Sequence, residues 1–220
     1  MRDAYLRTYP VVRRKNRHAK NSLEAYLLET KINTHDFSTL FAYLWYEDFP
    51  LDGSCFINGG ISDWKYHTAL TFKKTINAFG YFSQFESDGR FDGVARNVKQ
   101  SDPDLVMLAE WEWNSPKEGI FNEVEKLSKA AENKKPEACF LLTYSDVENL
   151  GETEEFILDG WNAECPLIFA IVTYRGGLRE FIDLVFYEKK RGEDLKCLRK
   201  QPALPWKVKN TKWAAMLKEN

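Results

Sequence analysis

Apolar positions recur with a helical period three times before residue 80. In the segment SLEAYLLET, Leu23, Tyr26, Leu27 and Thr30 fall on one face and Ser22 is placed to cap it, which predicts a first helix. An apolar and aromatic run from about Asp36 to Tyr46 predicts a second, ending before Pro50. Residues 49–60 (FPLDGSCFINGG) then read as a loop, with Pro, Asp-Gly and Gly-Gly punctuating it. The spacing of Trp64, Ala69, Phe72 and Ile76 predicts a third helix from about Ser62 to Asn77.

The period then changes from helical to extended. AFGYFSQFES and RFDGVARNV flank Asp88-Gly89, the signal for a tight two-residue hairpin. After Asp102-Pro103 the run DLVMLAEWEW predicts a buried strand, with Glu110 and Glu112 on the face of Val106 and Leu108. Residues 116–133 return to a helical pattern with Ile120, Val124 and Leu127 apolar. ACFLLTY predicts a further strand, and Asp146 to Asn162 an acidic, partly helical segment. PLIFAIVTY and LREFIDLVFYE predict a hairpin around Arg175-Gly176-Gly177. Hairpins require antiparallel pairs and a strand–helix–strand crossover favours a parallel one, so the fold class is α/β, with a central mixed β-sheet flanked by helices.

Composition narrows the class. The chain has 220 residues, 44% hydrophobic and 29% charged, enough for one core and unlike a disordered or collagen-like chain. The longest strongly apolar stretch, about residues 166–174, is well short of the ~20 residues a membrane helix needs, so no membrane partner is expected. No apolar segment follows the charges of the first twenty residues, so no signal peptide is expected. Four cysteines, at 55, 139, 165 and 197, show no metal-ligand spacing, and Cys139 and Cys165 read as core thiols. These features predict a soluble, reduced, cytoplasmic protein.

Charge is unevenly distributed. Residues 1–20 carry a net +6, leaving −8 on the rest. A basic arm with Arg13, Arg14, Lys15 and Arg17 suits a phosphate backbone, and equally a solvated terminus. The closing segment PWKVKNTKWAAMLKEN offers Trp206 and Trp213 among lysines, placed to stack on bases or, as the favoured expectation, to dock on the body.

The chemistry centres on DLVMLAEWEW. Two ionised carboxylates about 7 Å apart on a half-buried strand repel one another and resist desolvation. A divalent cation removes that penalty, and Mg²⁺ favours a few carboxylate oxygens while keeping several waters. Asp104, six residues before Glu110 on the same strand, lies roughly 20 Å away, too far to share an ion. Asp92, on the preceding strand with Gly93 beside it, is the better third ligand. The alternatives are solvated acids on an edge strand for the glutamates and turn chemistry for Asp92. No phosphate-loop, dinucleotide, serine-hydrolase or zinc-protease motif is present.

A helix, a β-hairpin with Asp on its second strand, a strand ending in E-x-E, a helix and a strand together resemble the PD-(D/E)XK, restriction-endonuclease-like nucleases over about residues 62–145. The resemblance places Asp92 at the motif Asp, Glu110 at the motif acid and Glu112 where the motif usually has Lys. Phe91 replaces the motif proline, and the helix before the hairpin, where many members carry a Glu, offers only Asp63 near its start.

What the resemblance implies is Mg²⁺-dependent (or Mn²⁺-dependent) phosphodiester hydrolysis, more readily of DNA than of RNA. Asp92, Glu110 and the carbonyl of Trp111 would hold the ion, with Glu112 at the attacking water or a second ion. Lys126 is a candidate for the missing lysine, against a solvated default, and Lys73 and Lys74 are candidates for phosphate contacts. The expected organisation is a basic arm and helical extension over 1–60, a nuclease-like core over 61–200 and a basic, aromatic tail over 201–220. A homodimer would serve symmetric double-strand cleavage. The alternative is a nuclease-fold protein that binds nucleic acid or a protein partner without cutting.

Overall fold

The computed structural model describes residues 32–50, 60–97, 104–114, 122–177 and 179–215. Helix α1 (Thr34–Glu47) starts where the Asn33 side chain accepts the backbone N–H groups of His35 and Asp36. Its residues Phe37, Leu40, Phe41, Leu44 and Trp45 are at most 1% exposed, a complete helical stripe. Helix α2 (Ile61–Ala78) starts where the Asp63 carboxylate accepts the Gly60 N–H at 2.9 Å, and buries Trp64, His67, Phe72 and Ile76. Three strands follow: β1 (Phe82–Gln84), β2 (Gly93–Asn97) and β3 (Asp104–Trp111). Helix α3 (Glu123–Lys134), capped by the Asn122 side chain, leads to β4 (Ala138–Asp146). Helix α4 (Leu150–Gly160) leads to β5 (Leu167–Arg175), then β6 (Glu180–Lys189) and β7 (Lys196–Pro202).

The seven strands form one sheet in chain order. The pairs β1–β2, β2–β3, β5–β6 and β6–β7 are antiparallel, while β3–β4 and β4–β5 are parallel. The two crossover helices α3 and α4 cover one face, where Val124, Leu127 and Ile157 meet Leu108, Leu141 and Phe169. Helices α1 and α2 cover the other, where Phe37, Phe41, Trp64 and Phe72 meet Met107, Phe140 and Phe186. The result is a three-layer mixed α/β fold. No helix among the described residues is long and apolar enough to cross a membrane.

Several expectations change in detail. The β1–β2 connection is not a two-residue turn: it spans 85–92, with Glu86, Asp88, Gly89 and Arg90 at positive φ and an Ser87–Phe91 bridge inside it. Strand β3 ends at Trp111, so Glu112 and Trp113 lie beyond it. Ala95 pairs with Met107 and Arg96 with Leu105, so Val106 is an extra residue in β3. That bulge turns Val106 into the core of Met107, Ala109 and Trp111 instead of onto the face of Leu108. Helix α1 contributes the centre of that core. At the other end of the chain Trp213 packs edge-on to Tyr43 and tilted to Tyr46, and Trp206 packs against Phe49, so the tail docks. The predicted helix at residues 22–30, most of the 49–60 loop and the basic arm fall outside the described residues.

Candidate functional site

The carboxyl end of β3 carries the chemistry because three elements converge there. Asp92 stands just before β2, and the Gly93–Ala109 pairing sets it across from Glu110. Its Oδ2 accepts the Trp111 N–H at 2.9 Å, and its carboxyl lies close enough to that of Glu110 for the two to influence each other's titration. Glu110 is 2% exposed. Facing it from the first turns of α3, the Lys126 ammonium lies 2.5 Å from Glu110 Oε1 and 3.5 Å from Glu123 Oε2. Lys126 also donates to the Arg90 carbonyl at 3.0 Å and lies over the Phe91 ring.

Too much negative charge is gathered in too little water. Burial, with Asp92 and Glu123 adding to it, pushes Glu110 up to about 9 against the opposing pull of Lys126. Burial also raises Asp92, opposed by the Trp111 N–H and by Glu110. Glu123, likewise buried, is raised despite Lys126. For Lys126 burial works to lower the pKa, and its contacts with Glu110 and Glu123 more than offset that, so the net direction is upward. Both carboxyls are thus biased toward the neutral form, a bias that a hard cation would oppose.

Glu112 goes elsewhere. Beyond the end of β3 its N–H donates to the Leu142 carbonyl at 3.0 Å, and its carboxylate lies 3.7 Å from Lys65 on α2. It borders a small groove with Trp64, Lys65, Thr68, Trp111, Trp113 and Tyr144. Among the described residues no group of three or more His, Cys, Asp or Glu side chains could hold a metal ion. The donor set at this point is thus two neighbouring carboxyls, Asp92 and Glu110. That set still suits Mg²⁺, which takes one or two carboxylates and fills its shell with water and phosphate oxygens.

The remaining predicted residues scatter. Lys74 is held by Asp48 at 2.5 Å on the side of α2 toward α1, and Lys73 is exposed. Arg13, Arg14, Lys15 and Arg17 lie outside the described residues. Lys65 and Glu123 were not singled out by the sequence. Glu123-x-x-Lys126 was readable as an i, i+3 pair, although such pairs normally mark a solvated helix face. No family model, curated protein or solved structure matches the chain.

Proposed function

We propose that the chain hydrolyses phosphodiester bonds in nucleic acid, most readily as a Mg²⁺-dependent DNA endonuclease of the restriction-endonuclease-like kind. The observation that carries this reading is the half-buried Asp92 carboxyl beside the buried Glu110, with Lys126 against Glu110, at the carboxyl end of β3. The order α2–β1–β2–β3–α3–β4, a meander followed by a parallel crossover, supports it.

In this reading Asp92 and Glu110, with the Trp111 carbonyl, hold the divalent ion. When bound, such an ion lowers the pKa of water and offsets charge on the phosphoryl oxygens. The Trp111 N–H fixes the Asp92 carboxylate in register with Glu110. Lys126, kept in place by the Arg90 carbonyl, swings off Glu110 to donate to a phosphate oxygen or to the attacking water, the part the missing motif lysine would play. Glu112, more exposed than Glu110 and paired only loosely with Lys65, is the group free to accept a proton from that water. Symmetric double-strand cleavage would require two copies of the chain.

One observation favours a second reading, a nuclease-fold protein that binds without cutting: Lys126 already sits on Glu110, and Glu112 does not join the pair. Incubating the protein with plasmid and oligonucleotide DNA in Mg²⁺, Mn²⁺ or EDTA, beside Glu110→Ala, separates the two. Metal-dependent cleavage lost in the variant supports hydrolysis. No cleavage of any substrate by a folded wild type favours binding alone.

A further inference from the structure

Glu123 opens α3, where an acid complements the helix N-terminus, but that role needs no burial. Glu125 meets it from the surface, exposed and paired with Lys129 at 2.6 Å. Glu123 is instead 7% exposed, and its Oε2 is buried without a hydrogen bond. Burying a carboxyl in the field of Asp92 and Glu110 is costly unless a partner compensates.

The ammonium of Lys126 is divided unequally between two buried acids. It lies 2.5 Å from Glu110 Oε1 but 3.5 Å from Glu123 Oε2, longer than the roughly 3.2 Å limit of a good hydrogen bond. Its third contact is the Arg90 carbonyl at 3.0 Å. Glu123 and Lys126 stand one turn apart on the same helix, so the two side chains can close on each other without moving the backbone. The Lys126 side chain keeps 35% of its surface, which leaves its stem free to turn.

We propose that Glu123 is a positioning residue for Lys126: the ammonium holds Glu110 in the metal-free protein and passes to Glu123 when Asp92 and Glu110 bind a divalent cation. This rests on the metal-binding part of the phosphodiesterase reading and adds to it how the lysine and the cation share Glu110. On Glu110 the ammonium stands where it competes with the cation. On Glu123, with the Arg90 carbonyl still accepting, one of its three N–H donors is left for a phosphate oxygen or the attacking water.

The test is Mn²⁺ affinity, by calorimetry without nucleic acid, for wild type, Lys126→Met, Glu123→Gln and the double variant. Lys126→Met has no ammonium to displace and should bind about tenfold tighter than wild type. Glu123→Gln has no acid to receive the ammonium and should bind about tenfold weaker. The double variant should match Lys126→Met within about threefold, because Glu123 acts through the lysine. In wild type the NMR signal of the Lys126 ammonium, assigned by its loss in Lys126→Arg, should shift on adding Mg²⁺, and shift differently in Glu123→Gln. That signal decides the matter should Lys126→Met fail to fold.

A Glu123→Gln loss of the same size with and without Lys126 would overturn the proposal, since Glu123 would then act on the cation directly. So would an unchanged affinity in Lys126→Met, an ammonium signal unmoved by bound Mg²⁺, or no Mn²⁺ binding by the folded proteins. A parallel cleavage assay with wild type and Glu110→Gln keeps the two ideas apart. Glu110-dependent cleavage with additive metal affinities removes this inference alone, whereas the expected affinities in a protein that never cuts remove the hydrolytic reading alone.

Discussion

The Lys126 ammonium lies 2.5 Å from Oε1 of Glu110 and 3.0 Å from the Arg90 carbonyl, so one side chain ties α3 both to β3 and to the loop carrying Asp92. Glu110 is nearly inaccessible, whereas the Lys126 side chain keeps 35% of its surface. Removing the lysine strands a buried carboxyl. Lys126→Ala is expected to destabilise the metal-free protein by about 1–2 kcal/mol, less than for a fully buried pair because the lysine is partly hydrated. Denaturant unfolding in EDTA would read it, and an unchanged midpoint would count against the pairing.

Replacing the acid should act in the opposite direction. Glu110→Gln removes the group that burial and its acidic neighbours penalise, while keeping shape and a hydrogen-bonding end. The metal-free variant is expected to be about 1 kcal/mol more stable than wild type, or about 2–4 °C in Tm, while losing any cleavage. A drop in Tm of similar size would show that Glu110 serves stability instead.

Gly93 makes a close approach possible. A Cβ there would lie 2.7 Å from the Phe72 ring of α2 and 3.0 Å from the Trp111 ring. Neither ring is a flexible side-chain end, and Phe72 is fully buried. Gly93→Ala is therefore expected to cost about 1–3 kcal/mol through overpacking, measured by chemical unfolding. The space left by the missing side chain at Gly93 is filled by these rings.

His67 sets an acid limit. It is packed among Trp45, Phe49 and Trp64, and burial, assisted by Lys74 and opposed by the nearby Asp48 backbone, lowers it to about 3. The unfolded chain takes up a proton near pH 6.5 that the folded one refuses. The stabilisation is thus complete above pH 6.5 and is lost as pH falls toward 3, by up to about 1.4 kcal/mol per unit. The stability difference between wild type and His67→Gln should narrow over that window, and a difference independent of pH would contradict the assignment.

The docked tail gives a fifth handle. Trp213 contacts Tyr43 and Tyr46 on α1, so Trp213→Ala should cost about 1–2 kcal/mol of stability and leave nucleic-acid affinity unchanged. Weakened binding with unchanged stability would return the tail to a base-stacking role.

Long patterned runs were legible. The helical stripe of α1, the hydrophobic β4 and the β5–β6 hairpin around Gly176 all follow from period and turn chemistry. Strand β7 was missed because KCLRKQP is an outer strand, half exposed and charged, with no alternation to read. The bulge at Val106 was invisible since it changes register without changing residue type. At the site, Asp92 and Glu110 could be paired on paper because adjacent strands constrain them. The partners of Glu112 and Lys126 could not, because each depends on how a helix lies across the sheet, and a helical lysine reads the same whether solvated or buried against an acid.

The central claim is that Asp92 and Glu110 act as one metal-binding unit in phosphodiester hydrolysis. The most direct test is Mg²⁺-dependent single-turnover cleavage of oligonucleotides by wild type, Asp92→Asn, Glu110→Gln and the double variant, each shown to be folded. Residues that act as a unit are strongly non-additive, so each single variant should lose about as much as the double, a hundredfold or more. Cleavage retained in either single variant, or losses that simply add, would contradict the account.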